Sequence, residues 1–250
     1  MKKILTTLTC VVLLATTAAA DILRAEMGFG AWLQNPEGIM SYSESGADGT
    51  YNSSEDDNTK GYIWALVKHP VPVVPNLRLE YVSLEDKGLV TGEFKKFDTS
   101  GISTQMRYEM KQYDIIAYYN ILDNTAWITV DIGFDIKVMD ISYDVAPLAT
   151  FAGYTGSETI AIPLAYARAR VEIPSTDLGV ETDVKYLKVG DSSVYDFRAK
   201  IDTTINISPV IQPGIEIGYR LQRIDIDESD ADATLDLEFS GFYAGLMLRF

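Results

Sequence analysis

Along most of this chain, apolar residues recur at every second position. The cleanest run is Ile128, Val130, Ile132, Phe134, Ile136 and Val138, set between Thr129, Asp131, Gly133, Asp135 and Lys137. A period of two is the signature of a β-strand with one apolar face, because successive side chains leave a pleated strand on opposite sides. Similar runs cover residues 23–34, 60–69, 77–81, 113–121, 165–171, 180–186, 197–205, 215–221 and 242–250. Between them lie short links at 70–76, 122–125, 174–177 and 209–214, and a tight hairpin at 190–193. The longer polar stretches at 35–59, 85–101 and 142–157, with the acidic tip at 225–232, read as loops. About ten strands result, with eight or twelve as the neighbouring even counts.

The last nine residues sharpen this pattern. Phe242, Ala244, Leu246, Leu248 and Phe250 alternate with Tyr243, Gly245, Met247 and Arg249. About nine to eleven residues suffice for a tilted strand to cross a bilayer. In lipid every backbone group must be satisfied internally, so strands that cross must close into a barrel. The expectation is therefore all-β: a transmembrane antiparallel up-and-down barrel whose last strand pairs with its first. Short links at one end and longer ones at the other fit such a barrel, and an even strand number puts both termini on the periplasmic side. The stretch from Phe242 to Phe250 resembles the C-terminal strand of Gram-negative outer-membrane β-barrels, a resemblance that implies an insertion signal read by the barrel-assembly machinery.

The alternation changes phase in three places. Ile102 to Met110 runs opposite to Tyr113 to Ile121, which suggests a bulge or an extension beyond the membrane. Leu235, Leu237 and Phe239 are apolar on odd positions, before the even-numbered run from Phe242. A flip also falls between Leu221 and Ile224. The membrane span of the last strand is expected to begin near Phe242, with residues 235–239 pairing with 222–226 in a hairpin clear of the outer leaflet.

The N-terminus supplies the compartment. Lys2 and Lys3 precede an apolar run from Ile4 to Ala15, and Ala18-Ala19-Ala20 closes it, so residues 1–20 read as a secretory leader and 21–250 as one barrel domain. Cys10, the single cysteine, lies inside the leader without a lipobox around it. The net charge of −15 argues against nucleic acid, whose phosphates it would repel. Outer-membrane lipid and lipopolysaccharide are the expected surroundings of a Gram-negative envelope monomer.

The leader, Gly28-Phe29-Gly30-Ala31-Trp32, the segment Tyr118-Tyr119-Asn120-Ile121-Leu122-Asp123-Asn124, and Phe250 together resemble an uncharacterised family of proteobacterial outer-membrane β-barrels named for paired glycines. That resemblance spans the mature chain. It implies fold and location, and no chemistry.

The polar positions of the strands define a lumen. Arg24, Glu26, Arg78, Glu80, Asp131, Asp135, Lys137, Arg168, Arg170, Asp183, Lys185, Arg198, Lys200 and Arg220 are expected to face inward as a charge network, with Asp114, Glu181, Asp196, Asp202, Glu216 and Arg249 among their partners. Acids and bases nearly balance there, which suggests a salt-bridged interior and not the wide aqueous channel of barrels with about sixteen strands. A narrow channel for small solutes is the alternative. Barrel enzymes need a base of near-neutral pKa at the outer rim, and the one histidine, His69, falls at the periplasmic end beside Pro70. A rim enzyme acting on lipid or peptide is accordingly disfavoured. The acids Asp225, Asp227, Asp230 and Asp232 are weak candidates for a cation, since they lack the ligand spacing and glycine of an EF-hand loop. No cofactor is expected. The protein reads as a non-enzymatic envelope barrel, structural or surface-interacting, with acidic extracellular loops.

Overall fold

The computed structural model describes residues 24–44, 47–54, 57–71, 73–205, 207–208, 210–228 and 233–250. The expected leader lies outside the described residues, as do Asp230 and Asp232. The rest is β-structure: β1 (Arg24–Glu44), β2 (Ala47–Ser53), β3 (Asn58–Lys68), β4 (Asn76–Phe94), β5 (Phe97–Asp98), β6 (Thr104–Thr125), β7 (Ile128–Val145), β8 (Tyr154–Glu172), β9 (Leu178–Val189), β10 (Ser192–Thr204), β11 (Gln212–Glu228) and β12 (Ala233–Arg249). Each strand runs antiparallel to its neighbours, and β12 returns to β1 from Glu26↔Arg249 to Tyr42↔Ala233, closing the wall. The backbones of Ala25 and Phe250 exchange hydrogen bonds at the seam. β2 and β3 share one place in the wall, between β1 and β4, so the barrel has ten staves. The two-residue β5 is paired to β4 alone.

The staves are longer than a bilayer requires. β1 has 21 residues and β6 has 22, about twice the span of a membrane strand. The excess all projects at one end, opposite the turns at 69–75, 126–127, 173–177 and 205–211. There the two faces of every stave exchange character. On β7 the inward residues pass from Asp131, Asp135 and Lys137 to Met139 and Val145, while the outward ones pass from Phe134 and Ile136 to Asp140 and Asp144. On β12 they pass from Tyr243 inside to Phe239 and Leu237, and from Phe242 outside to Glu238. On β6 the sequence Asp114, Gln112, Met110, Tyr108, Met106 stays inside throughout.

The molecule is thus a barrel of two storeys. The lower storey is polar within and apolar without, with Phe134 73% and Phe242 64% exposed, as a wall in contact with acyl chains must be. The upper storey has the inside-out polarity of a water-soluble barrel: Tyr51, Leu84, Val90 and Phe239 are fully buried inside it. Edge-to-face contacts join Tyr51 to Tyr108 at 5.9 Å and Tyr108 to Phe239 at 6.4 Å between ring centroids. Above them Phe97 stacks on Phe94 and Tyr154, laying an aromatic cover on this core.

This exchange corrects two sequence readings and decides a third. The stretches at 35–59, 85–101 and 142–157 are chiefly strand among the described residues, with only 95–103, which carries β5, and 146–153 as longer connections between β4, β6, β7 and β8. At Ile102 to Met110 the second of the two expectations holds: β6 continues as an extension of the stave and not as a bulge, and inward positions keep the same parity through β6, β11 and β12. Residues 235–239 do pair with 222–226. They also pair with β1, as in Pro36↔Phe239 and Met40↔Leu235, and so belong to the continuous wall and not to a free hairpin.

Two irregularities shape the wall. β2 ends at Ser53 and β3 begins at Asn58, and β4 has no partner strand on that side from Ser83 to Lys87. The carbonyls of Ser83 and Glu85 accept instead from the side chains of Gln34 (2.8 Å) and Asn58 (2.7 Å). The second lies between β8 and β9, whose ladder stops at Ala165↔Tyr186. Above it the described part of β8 pairs only with β7. Pro163 sits on that free edge, where a residue without an N–H leaves no ladder bond unmade.

Candidate functional site

The lower lumen concentrates most of the buried charge. Cross-strand neighbours there are often of opposite sign, as in Asp131↔Arg168, Arg168↔Asp183, Arg170↔Glu181 and Asp196↔Lys185. Such pairs are favourable on one face of a sheet. Others are of like sign, as in Glu80↔Asp114 and Arg198↔Arg220. These are relieved from across the barrel. Lys185 on β9 reaches Glu80 on β4 and Asp114 on β6, both at 2.6 Å. Arg198 on β10 reaches Glu80 at 2.9 Å while holding Asp183 at 2.7 Å. Lys137 lies between Asp114 (2.8 Å) and Asp196 (3.0 Å), and Arg220 grips Asp196 with two nitrogens.

Towards the turn end Arg168 joins Asp131 and Glu181, and Arg170 holds Asp202 bidentately at 2.6 and 2.8 Å. Glu216 accepts from Lys200 (3.0 Å), Tyr62 (2.8 Å) and Trp64 (2.9 Å). Trp64 is flanked by Lys200 and Arg78, at 4.5 and 4.9 Å from its ring centroid. Arg24, Glu26 and Arg249 close the bottom, where the first and last strands meet.

All fourteen residues of the sequence-derived network therefore face the lumen. All make ion pairs except Asp135, which is fully buried with neither carboxylate oxygen hydrogen-bonded. Between these groups little space is left. A void of about 10 Å³ lies among Trp32, Tyr62, Arg198, Arg220 and Tyr243, room for about one water. Arg78, Lys137 and Lys185 are at most 1% exposed, which a water-filled bore beside them would not permit.

The remaining candidates separate. Phe242, Ala244, Leu246 and Leu248 line the outer face of β12; the last three are paired by both β11 and β1, Phe242 by β11 alone, and Phe250 just beyond the strand bonds Ala25. Asp225 and Asp227 stand on β11 opposite Asp236 and Thr234, and among the described residues no three acids, histidines or cysteines converge as metal ligands. His69 is consumed by the β3–β4 turn: its Nδ1 accepts from the Val71 N–H (3.2 Å) and its Nε2 faces the Pro75 carbonyl (3.0 Å).

Two polar features escaped the sequence reading. Asp86 is buried in the upper storey, where it accepts from Tyr51 (2.7 Å) and Ser53 (2.9 Å). Gln34 is 1% exposed beside the break in the wall. Asp86 fell in a stretch read as loop, and Gln34 closed the first run as one more inward polar position, so alternation marked neither role.

No known family matches the chain, and no curated protein matches it either. The likeness to the paired-glycine family thus rests on its short motifs alone. Solved structures with a similar shape include the outer membrane protease OmpT from Escherichia coli, 10% identical with a TM-score of 0.44 over 94% of this chain and 99% of that one. The translocator domain of the autotransporter NalP from Neisseria meningitidis is 12% identical, with a TM-score of 0.42 over 100% of this chain and 96% of the other. OprG from Pseudomonas aeruginosa is 10% identical, with a TM-score of 0.38 over 91% and 95%. These likenesses concern fold. No activity follows from them.

Proposed function

We propose that this protein is a sealed, non-enzymatic outer-membrane barrel that carries a rigid, water-soluble storey above the outer leaflet as a structural or ligand-contacting surface. The observation that carries this reading is the tie across the lumen: Lys185 and Arg198 on one side hold Glu80 on the other, with a void of only about 10 Å³ beside them. A narrow solute channel would need those pairs to part. Each ion so exposed would lose partners in a low-dielectric interior, at a cost of several kcal/mol. The fixed role of His69 in its turn, at the end away from the upper storey, supports the non-enzymatic reading.

In this setting both termini lie in the periplasm, at the end with the tight turns. Lipid and lipopolysaccharide surround the apolar belt, and the alternating face of β12 is what the assembly machinery reads. The closed ladder makes the monomer the working unit. Purified protein reconstituted into planar bilayers should give no discrete conductance steps over a wide voltage range. Reproducible steps would overturn the sealed interior.

A further inference from the structure

The break between β2 and β3 opens a slit through the wall. Leu33, Gln34, Asn35, Asp57, Asn58, Thr59, Gly241 and Phe242 enclose a space of about 310 Å³ there. Residues of both faces of the wall line it, because the β1–β12 ladder lapses between Trp32↔Tyr243 and Asn35↔Ser240. Gly241 permits this lapse: its φ of +150° and its approach to the Leu33 carbonyl, 1.8 Å from where a Cβ would stand, admit no side chain.

Among the residues lining the slit, the one charged group and the two orphaned polar atoms are all acceptors. Gln34 and Asn58 are direct cross-strand partners. Each spends its amide N–H on a carbonyl of β4, Gln34 on Ser83 and Asn58 on Glu85. A carbonyl cannot donate to a carbonyl, so these bonds fix both amides with their oxygens turned away from β4. Gln34 Oε1 and Asn58 Oδ1 are buried and lack any hydrogen-bond partner. Asp57, exposed beside them, adds a carboxylate. The nearby ammonium of Lys60 does not line the slit and is bound to Glu85. Two orphaned carbonyl oxygens and a carboxylate, with no cation among the lining residues, form the donor set that hard cations take.

We infer that this slit is a binding site for a hard divalent cation of the calcium type, held by Gln34 Oε1, Asn58 Oδ1 and the Asp57 carboxylate. Such an ion takes about six to eight oxygens, so waters complete its shell. Its place is the upper border of the apolar belt, marked by Leu33 and Phe242, which are 60% and 64% exposed. Bound there, the ion would tie the last pair of the β1–β3 ladder, Gln34 and Asn58, beside the lapse between β1 and β12.

Terbium titrated into the metal-free full-length barrel in detergent tests this directly. Trp32, whose indole donates to the Gly241 carbonyl at 3.2 Å, is positioned to sensitise its luminescence. Saturable tryptophan-sensitised emission is expected, displaced by calcium and not by sodium at equal ionic strength. Asp57→Asn should weaken binding at least tenfold, and so should Gln34→Met. Asp140→Asn, a charge change elsewhere on the upper storey, should leave it unchanged. Gln34→Met also loses the bond to Ser83, so Asp57→Asn, on an exposed side chain, decides the matter should that variant fail to fold. Absent emission, or emission that Asp57→Asn leaves unaltered, would sink the assignment.

Discussion

Lys137 shows what a single buried charge does in this lumen. It is wholly buried between Asp114 and Asp196, within 3.0 Å of both. Replacing a whole buried ion pair by apolar groups is often neutral, but removing one partner leaves the other charge uncompensated, at about 3–5 kcal/mol. Lys137→Met should therefore lower the unfolding free energy in urea by about that amount. Arg223→Met, which breaks the pair with Asp236 where both side chains are about half exposed, should change it by less than about 1 kcal/mol. Equal effects would mean that the lumen is far wetter than its packing implies. In the upper storey, burial pushes the Asp86 carboxyl above its ordinary 3.8, against the hydrogen bonds from Tyr51, Ser53 and the Lys87 N–H. The folded state then holds the proton more tightly than the unfolded one, so the Asp86 contribution is full below 3.8 and is lost as pH rises through the folded value. Glu85 runs the other way. Burial would raise it, but Lys60 and Arg107 carry it below its ordinary 4.5. Its contribution is present above that value and lost as pH falls through the folded one. Asp86→Asn should thus gain thermal stability over the native protein as pH is raised from about 4 to about 7. Melting curves at several pH values read the difference; a constant offset would refute it.

At the scale of the element, legibility followed the contrast between the two faces of a strand. The lower part of β7, Ile128 to Val138, was open to reading because its outward residues are apolar and its inward ones polar. The lumen network was equally open, since charges at every second position of a membrane strand have no other place to face. Reading failed where a stave leaves the membrane. From Asp140 on β7, or below Lys111 on β6, the outside meets water and the inside is closed by Met139, Met110 and Tyr108. The period of two persists while its polarity inverts, so a pattern judged by which parity is apolar registers a slip where the backbone makes none. The same inversion turned β1 beyond Gln34 and β4 beyond Tyr81 into apparent loops. Asn58 and Asp86 were lost with them, and Gln34, the last inward position of the first run, was left without its partners. Their roles depend on a broken ladder and on partners many positions away, which no local period records. Pro163 is the converse case: a residue unwelcome in a paired strand marks the free edge of β8.

For the whole molecule, the inversion fixes where the bilayer lies. The apolar belt of the lower storey carries Phe134, Ile217, Phe242 and Leu246 on its outside, each more than half exposed. On the outside of a closed barrel such a surface marks the belt that meets lipid. The upper storey buries its own apolar core and shows Gln105, Asp140 and Asp144 to solvent. The single cysteine of the chain is Cys10, in the expected leader, so introduced cysteines can report each zone without background. Gln105→Cys and Asp140→Cys should react with a membrane-impermeant maleimide on intact cells. Phe134→Cys should resist that reagent and react with a lipid-soluble one. Val74→Cys, in the turn between β3 and β4 and half exposed, should react only after the outer membrane is breached. Labelling of Val74→Cys on intact cells, with Asp140→Cys protected, would invert the proposed orientation. Ready reaction of Phe134→Cys with the impermeant reagent would mean that the belt faces water. The two-storey architecture would then have no membrane to divide it.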